Sequence, residues 1–187
     1  MNITPRLHHA IQFATRAHDG HYRKDGDIPY ISHPFAVASI VSEYTDDEDI
    51  IIGALFHDIL EDIDKEGFSS RVIMNEFGTH VLDIIDGCTE KVAKSESWKK
   101  RKDSYIAHIA HAPTESLYII AADKMHNALS TVEDHKKIGE AIWNRFGGTK
   151  EQTQWFYRAV YESLRENRCN EAILSKLDQV IIKLEEL

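Results

Sequence analysis

Residues 50–62, Ile-Ile-Ile-Gly-Ala-Leu-Phe-His-Asp-Ile-Leu-Glu-Asp, set the hardest condition on any fold this chain can adopt. An apolar run carries two pairs of ionisable residues, His57-Asp58 and Glu61-Asp62. Read as one helix over 46–62, the stretch places i and i+4 residues on a common face. His57 then stands over Glu61, and Asp58 over Asp62. Burying a carboxylate costs several kcal/mol unless a cation meets it. That is a large part of the roughly 5–15 kcal/mol by which a whole domain is stable. A divalent ion is the simplest such partner, and His plus Asp is a metal-ligand pair.

The rest of the chain is written in the same helical period, with almost no strand signal. Thr4-Pro5 reads as an N-cap followed by Pro at the first helical position, opening a helix that ends at Gly20. Residues 20–32 read as a polar loop. Ser32-His33-Pro34 repeats the cap-then-Pro pattern and opens a helix to about Tyr44, and Thr45-Asp46-Asp47-Glu48 fits a capping box. Ser69 or Ser70 opens a helix that stops near Gly78, and another runs to about Thr89. Later helices are expected near 97–111 and 115–131, with a charged loop over 132–137. The tail reads as a short helix near 139–146, a break at Gly147-Gly148, and helices near 149–167 and 171–186. This predicts an all-α bundle of about ten helices, with irregular rather than coiled-coil packing. At 187 residues it is expected to be one domain, with a core over about 14–131 and C-terminal helices over about 139–186 packed on it.

A net charge of −9 excludes an unspecific nucleic-acid binder, which would be basic. A locally basic site for an anionic substrate remains open, and Arg23-Lys24 and Lys99-Lys100-Arg101-Lys102 are the candidates. In the second of these, four consecutive charges cover all sides of a helix, so most are read as solvated. Cys88 and Cys169 stand far apart and form no CxxC pair, which points to a reducing compartment and no thiolate site. No secretory or spanning segment is read, so the expected location is the cytoplasm and no membrane partner is expected. Trp98, Trp143 and Trp155 are read as packing residues. His8, His9, His18, His21, His80, His108, His111, His126 and His135 are read as ordinary structural histidines.

Three stretches carry chemistry: residues 23–34, the His57–Asp62 stripe, and Ala121-Ala122-Asp123-Lys124-Met125-His126-Asn127, where Asp123 again puts a charge inside an apolar helix. His33, His57, Asp58 and Asp123 together offer two imidazoles and two carboxylates. Such a hard set suits a six-coordinate ion with room for water: Mn²⁺ first, with Fe²⁺, Mg²⁺ or Zn²⁺ as alternatives. Asp123 could instead form a structural ion pair with Lys124 or Arg23.

The motifs R-K-x-G, P-Y-x-x-H-P, H-D-x-x-E-D and A-D-K-x-x-N occur in that order. The chain thereby resembles the HD phosphohydrolase superfamily, and within it the hydrolase domain of the RelA/SpoT family, whose members remove the 3′-diphosphate from ppGpp and pppGpp. The likeness runs from about Ala14 to Thr131. Beyond it, Trp155-Phe156-Tyr157 and a final amphipathic helix are similar to stand-alone small alarmone hydrolases. No synthetase activity is expected. The resemblance implies that His33, His57, Asp58 and Asp123 hold Mn²⁺ and that Glu61 and Asp62 are the catalytic acids. It places Arg23, Lys24, Tyr30, Asn127 and Ser130 at nucleotide-contacting positions, with Lys124 a further candidate. The implied partner is a guanine-nucleotide alarmone. The alternative is an HD phosphohydrolase acting on a 3′-phosphonucleotide, NADPH or a nucleoside 5′-monophosphate. A non-catalytic sensor with a degenerate site is disfavoured, because every matched metal and acid position is intact.

Overall fold

A computed structural model describes residues 3–23, 27–63, 65–93 and 95–187. Among them the protein is all-α. Ten α-helices and one 3-10 helix account for its regular structure, with a single isolated bridge between Tyr22 and Pro29. Among the described residues no helix is long and apolar enough to cross a membrane. The chain forms two compact units, residues 1–89 and 90–187.

The first unit contains α1 (Pro5–Ala17), α2 (Ser32–Val41), α3 (Glu48–Phe56), α4 (Ile59–Asp62), α5 (Ser70–Phe77) and α6 (Thr79–Cys88). Helix α1 starts as its sequence predicts: the Thr4 side chain accepts the Leu7 N–H and Pro5 stands at the first helical position. Arg6 ties this helix to the start of α3 through Glu48 and Asp49, and donates to the Phe77 carbonyl. Helix α3 packs between α1, α2 and α6, and residues 50–56 are all buried. An aromatic knot holds it there. Phe56 meets Phe13 at 5.1 Å and Phe77 at 4.8 Å, and Phe13 meets Phe68 at 5.0 Å.

The structure departs from the sequence pattern at three places in this unit. Ser32 is the first residue of α2 and not its cap; its hydroxyl donates to the Pro29 carbonyl, and the helix stops at Val41. Asp47, not Thr45, caps α3 by accepting the Asp49 N–H, while Thr45 accepts the Asp47 N–H one step earlier. The stretch 46–62 is not one helix. It breaks at His57-Asp58 into α3 and the single turn α4. The cause lies in the side chain: His57 Nδ1 donates to the Ala54 carbonyl at 2.8 Å. An unbroken α-helix would offer that same carbonyl to the Asp58 N–H.

The second unit contains α7 (Trp98–Ile109), α8 (Thr114–Ile138), the 3-10 helix (Gly139–Arg145), α9 (Lys150–Glu166) and α10 (Glu171–Glu185). Helix α8 is the axis on which α9, α10 and the 3-10 helix pack. It runs seven residues past the predicted end, through the segment read as a loop. Val132 is buried, Lys136 pairs with Glu133 and Lys137 with Asp134, and the cations of the last turn suit the negative end of the helix. Gly139, at φ +59°, ends it. Helix α9 opens with a complete capping box between Thr149 and Gln152. It is bound to α10 by Arg158, which grips both carboxylate oxygens of Glu185 and also reaches Asp178. Asn167 at its other end donates to the Ile109 carbonyl of α7 at 2.7 Å.

Candidate metal centre

In the first unit, the end of α3 and the start of α2 bring two imidazoles to one carboxylate. His33 Nε2 lies 3.5 Å and His57 Nε2 3.2 Å from Asp58 Oδ2. Both rings are buried and the carboxylate is partly open. The donor atoms of the three residues all lie within 4.8 Å of one another, so the group could hold a metal ion. The donor set fits one. With Nδ1 donating to Ala54, His57 turns its Nε2 to the same carboxylate oxygen that His33 Nε2 faces. Two imidazoles and a carboxylate at one point are the donor types a divalent ion takes. A backbone bond from the second ring nitrogen is also the usual way a metal-ligating histidine is oriented. The break between α3 and α4 is therefore part of how the site is built.

Tyr30 lies half-buried beside this group, and its hydroxyl donates to Asp58 Oδ2 at 2.7 Å. His21 stacks on the Tyr30 ring with centroids 4.1 Å apart, and His18 lies 5.1 Å from it. Burial pushes the His18 imidazole down to about 4, against the pull of Asp58. Arg23 also sits over the Tyr30 ring, its Cζ 5.7 Å from the centroid. Lys24 lies outside the described residues. Glu61, half-buried, and Asp62, exposed, stand at the end of the one-turn helix α4.

In the second unit, Asp123 is buried mid-way along α8. It is held from two sides, by Lys124 Nζ at 2.6 Å and by Asn127 Nδ2 at 2.5 Å. The ion pair with Lys124, an alternative reading of the sequence, thus exists. Burial works against the Lys124 ammonium, but the Asp123 carboxylate together with Tyr105 and Tyr157 outweighs it and holds its pKa well above the usual lysine value. Ser130, half-buried, donates its hydroxyl to the His126 carbonyl one turn back.

Two groups beside these residues are not marked by the sequence motifs. His18 and His21 have the spacing of structural histidines, although they flank Gly20 immediately before the motif beginning at Arg23. Lys102 belongs to a run read as mostly solvated. It lies in the face of α7 shared by Trp98, Tyr105 and Ile109, an i, i+4, i+7, i+11 spacing that could have marked it. Its ammonium bonds Glu90 at 2.8 Å and sits 4.9 Å over the Phe156 ring. Burial, and then Lys124, lower its pKa. Lys99 and Lys100 are exposed as expected.

The HD-domain family matches residues 10–149. This chain belongs to the HD-domain family. Among HD-domain relatives, it is 32% identical over 61% of its length to a guanosine-3′,5′-bis(diphosphate) 3′-pyrophosphohydrolase of Haemophilus influenzae. It is 30% identical to the stand-alone enzyme of that name, MESH1, from Danio rerio, over 96% of this chain and 94% of the relative. The solved structure of a metazoan ortholog of SpoT, described as hydrolysing ppGpp, aligns over 100% of this chain and 99% of its own, with a TM-score of 0.80 at 25% identity. The chain spans only 15% to 17% of the length of the first three curated relatives, so its likeness to them is confined to one segment of each. The match to MESH1 instead runs nearly end to end, which sets the HD-domain protein beside the small stand-alone hydrolases of the RelA/SpoT group.

Proposed function

We propose that this protein is a metal-dependent (p)ppGpp 3′-pyrophosphohydrolase, converting ppGpp or pppGpp to GDP or GTP and pyrophosphate. The observation that carries the reading is the convergence of His33, His57 and Asp58 in a chain that is collinear with MESH1 along almost its whole length. Asp123 is assigned as the fourth ligand. The A-D-K-x-x-N motif supports this, as does the setting of a carboxylate inside an apolar helix. On this reading the two units serve one hydrolase domain, and the ion in use is Mn²⁺, which the mixed imidazole and carboxylate donors suit. The two cysteines are free and buried, in keeping with a reducing cytoplasmic location.

An ion held by His33, His57, Asp58 and Asp123 would supply Lewis acidity towards a water and a phosphoryl oxygen. The protein's own groups do the rest. Glu61 or Asp62 orients the attacking water and takes its proton, a role that requires reach through at most one further water. Attack falls on the phosphorus joined to the ribose 3′ oxygen; the P–O3′ bond breaks, and the departing 3′ oxygen takes up the proton that the acid accepted from water, which gives the 3′ hydroxyl and pyrophosphate. Arg23, Lys24 and Lys124 offset the charge on the pyrophosphate. Asn127, Ser130 and the Arg23–Tyr30 face position the nucleotide.

The test is a panel of ppGpp, pppGpp, GTP, NADPH and a 3′-phosphonucleotide with purified protein and Mn²⁺. Rapid pyrophosphate release from the alarmones, with little action on the others, is expected. Preferential release of orthophosphate from NADPH or the 3′-phosphonucleotide would replace this reading with the alternative HD phosphohydrolase.

A further inference from the structure

The loop that follows α1 is joined to the metal centre by a continuous set of short contacts. The His21 N–H donates to the His18 carbonyl at 3.0 Å, and the Tyr30 N–H to the His21 carbonyl at 2.8 Å. These bonds fix both histidine rings against the phenol. His21 lies on Tyr30 at 4.1 Å and 10°, close to parallel, and His18 closes the group at 5.1 Å from Tyr30 and 5.6 Å from His21. His18 is itself buried, 2% exposed, so it forms a firm floor. The phenol has little freedom to swing in such a stack. Its hydroxyl donates to Asp58 Oδ2, the same oxygen that faces His33 Nε2 and His57 Nε2.

We propose that His21 and His18 are positioning residues that lock Tyr30, and that Tyr30 in turn aims the Asp58 carboxylate at the metal. The proposal rests on the reading of His33, His57 and Asp58 as metal ligands. It gives Tyr30 a task distinct from touching nucleotide. A carboxylate can rotate about its last bond, and a ligating oxygen is worth most when it is already pointed at the ion. A hydrogen bond from a neighbour supplies that direction, and losing such a partner costs about 10–100-fold in metal affinity or activity. Edge and face contacts between rings make the neighbour rigid at little entropic cost. His21 offers its flat face to the phenol while its Nδ1 lies 3.4 Å from His18 Nδ1; another planar ring can replace the stack, whereas a methyl group cannot.

The experiment measures Mn²⁺ affinity directly, by calorimetric titration of chelator-treated protein without nucleotide. The variants are Tyr30→Phe, His21→Ala and His21→Phe. Tyr30→Phe keeps the ring and the stack, so it is the variant that isolates the hydroxyl; circular dichroism confirms that each protein is folded. The expected results are binding about 10–100-fold weaker for Tyr30→Phe, about tenfold weaker for His21→Ala, and within about twofold of wild type for His21→Phe. Wild-type affinity in Tyr30→Phe and His21→Ala, with only the nucleotide KM raised, would overturn the proposal and leave Tyr30 a substrate contact. Equal losses in His21→Phe and His21→Ala would overturn the stacking role. Wild-type protein that takes up no ion would overturn the metal reading and this proposal together, an outcome distinct from normal uptake by every variant.

Discussion

Phe56 is the residue on which the seat of His57 depends, and its truncation has a calculable effect. The ring is 0% exposed and touches Phe13 and Phe77 edge-on or tilted at 5.1 and 4.8 Å. Phe→Ala at such a site costs about 3–5 kcal/mol, because the transfer energy is lost and the surrounding rings collapse only partly. For a protein of this size each kcal/mol lowers Tm by about 2–4 °C, so a loss of 4 kcal/mol predicts a drop of about 8–16 °C. Phe56→Leu keeps most of the volume and is expected to cost less than about 1.5 kcal/mol. Far-UV circular dichroism melts of the three proteins, at matched concentration and pH, provide the comparison. A drop under about 3 °C for Phe56→Ala would refute the claim that a packed aromatic knot holds the end of α3.

Other substitutions separate the parts of the account. Asp58→Asn and His57→Ala are expected to lose bound metal and turnover together, measured by elemental analysis and pyrophosphate release. Glu61→Gln is expected to keep metal while kcat falls about 10²–10⁴-fold, the usual contribution of a general base; unchanged kcat would remove Glu61 from the chemistry. Burial pushes the Cys169 thiol up to about 12, so native protein should react with a thiol reagent at pH 8 far more slowly than unfolded protein. The same shift has a definite sign in stability. Above about pH 9 the unfolded thiol ionises while the folded one keeps its proton, so this group's contribution to stability falls as pH rises.

Local signals in the sequence carried the helices whose ends are decided locally. Thr4-Pro5 and Thr149 with Gln152 cap as their residue types require, because a cap needs only its own three following residues. Of the residues read as ligands, His33, His57 and Asp58 come together as a group that could hold a metal ion, in keeping with the rule that charges inside an apolar helix demand a reason. What escaped was set by contacts distant in sequence or by side chains competing with backbone. The ring of His57 takes the Ala54 carbonyl and breaks a helix that periodicity alone runs through. Helix α8 continues past Thr131 because Val132 finds a core and Asp134 finds Arg145. His18 and His21 looked ordinary because nothing in their spacing reveals that Tyr30, nine residues beyond His21, returns to lie on them.

On the proposed function, a divalent cation held by this chain drives release of the 3′-diphosphate from an alarmone. The most direct measurement is phosphorus NMR of ppGpp incubated with metal-loaded protein, with chelator-treated protein, and with treated protein resupplied with Mn²⁺. Equal amounts of GDP and pyrophosphate from the first and third samples, and none from the second, are the expected result. Full-rate hydrolysis by protein shown to contain no metal, or orthophosphate as the first product, would contradict it.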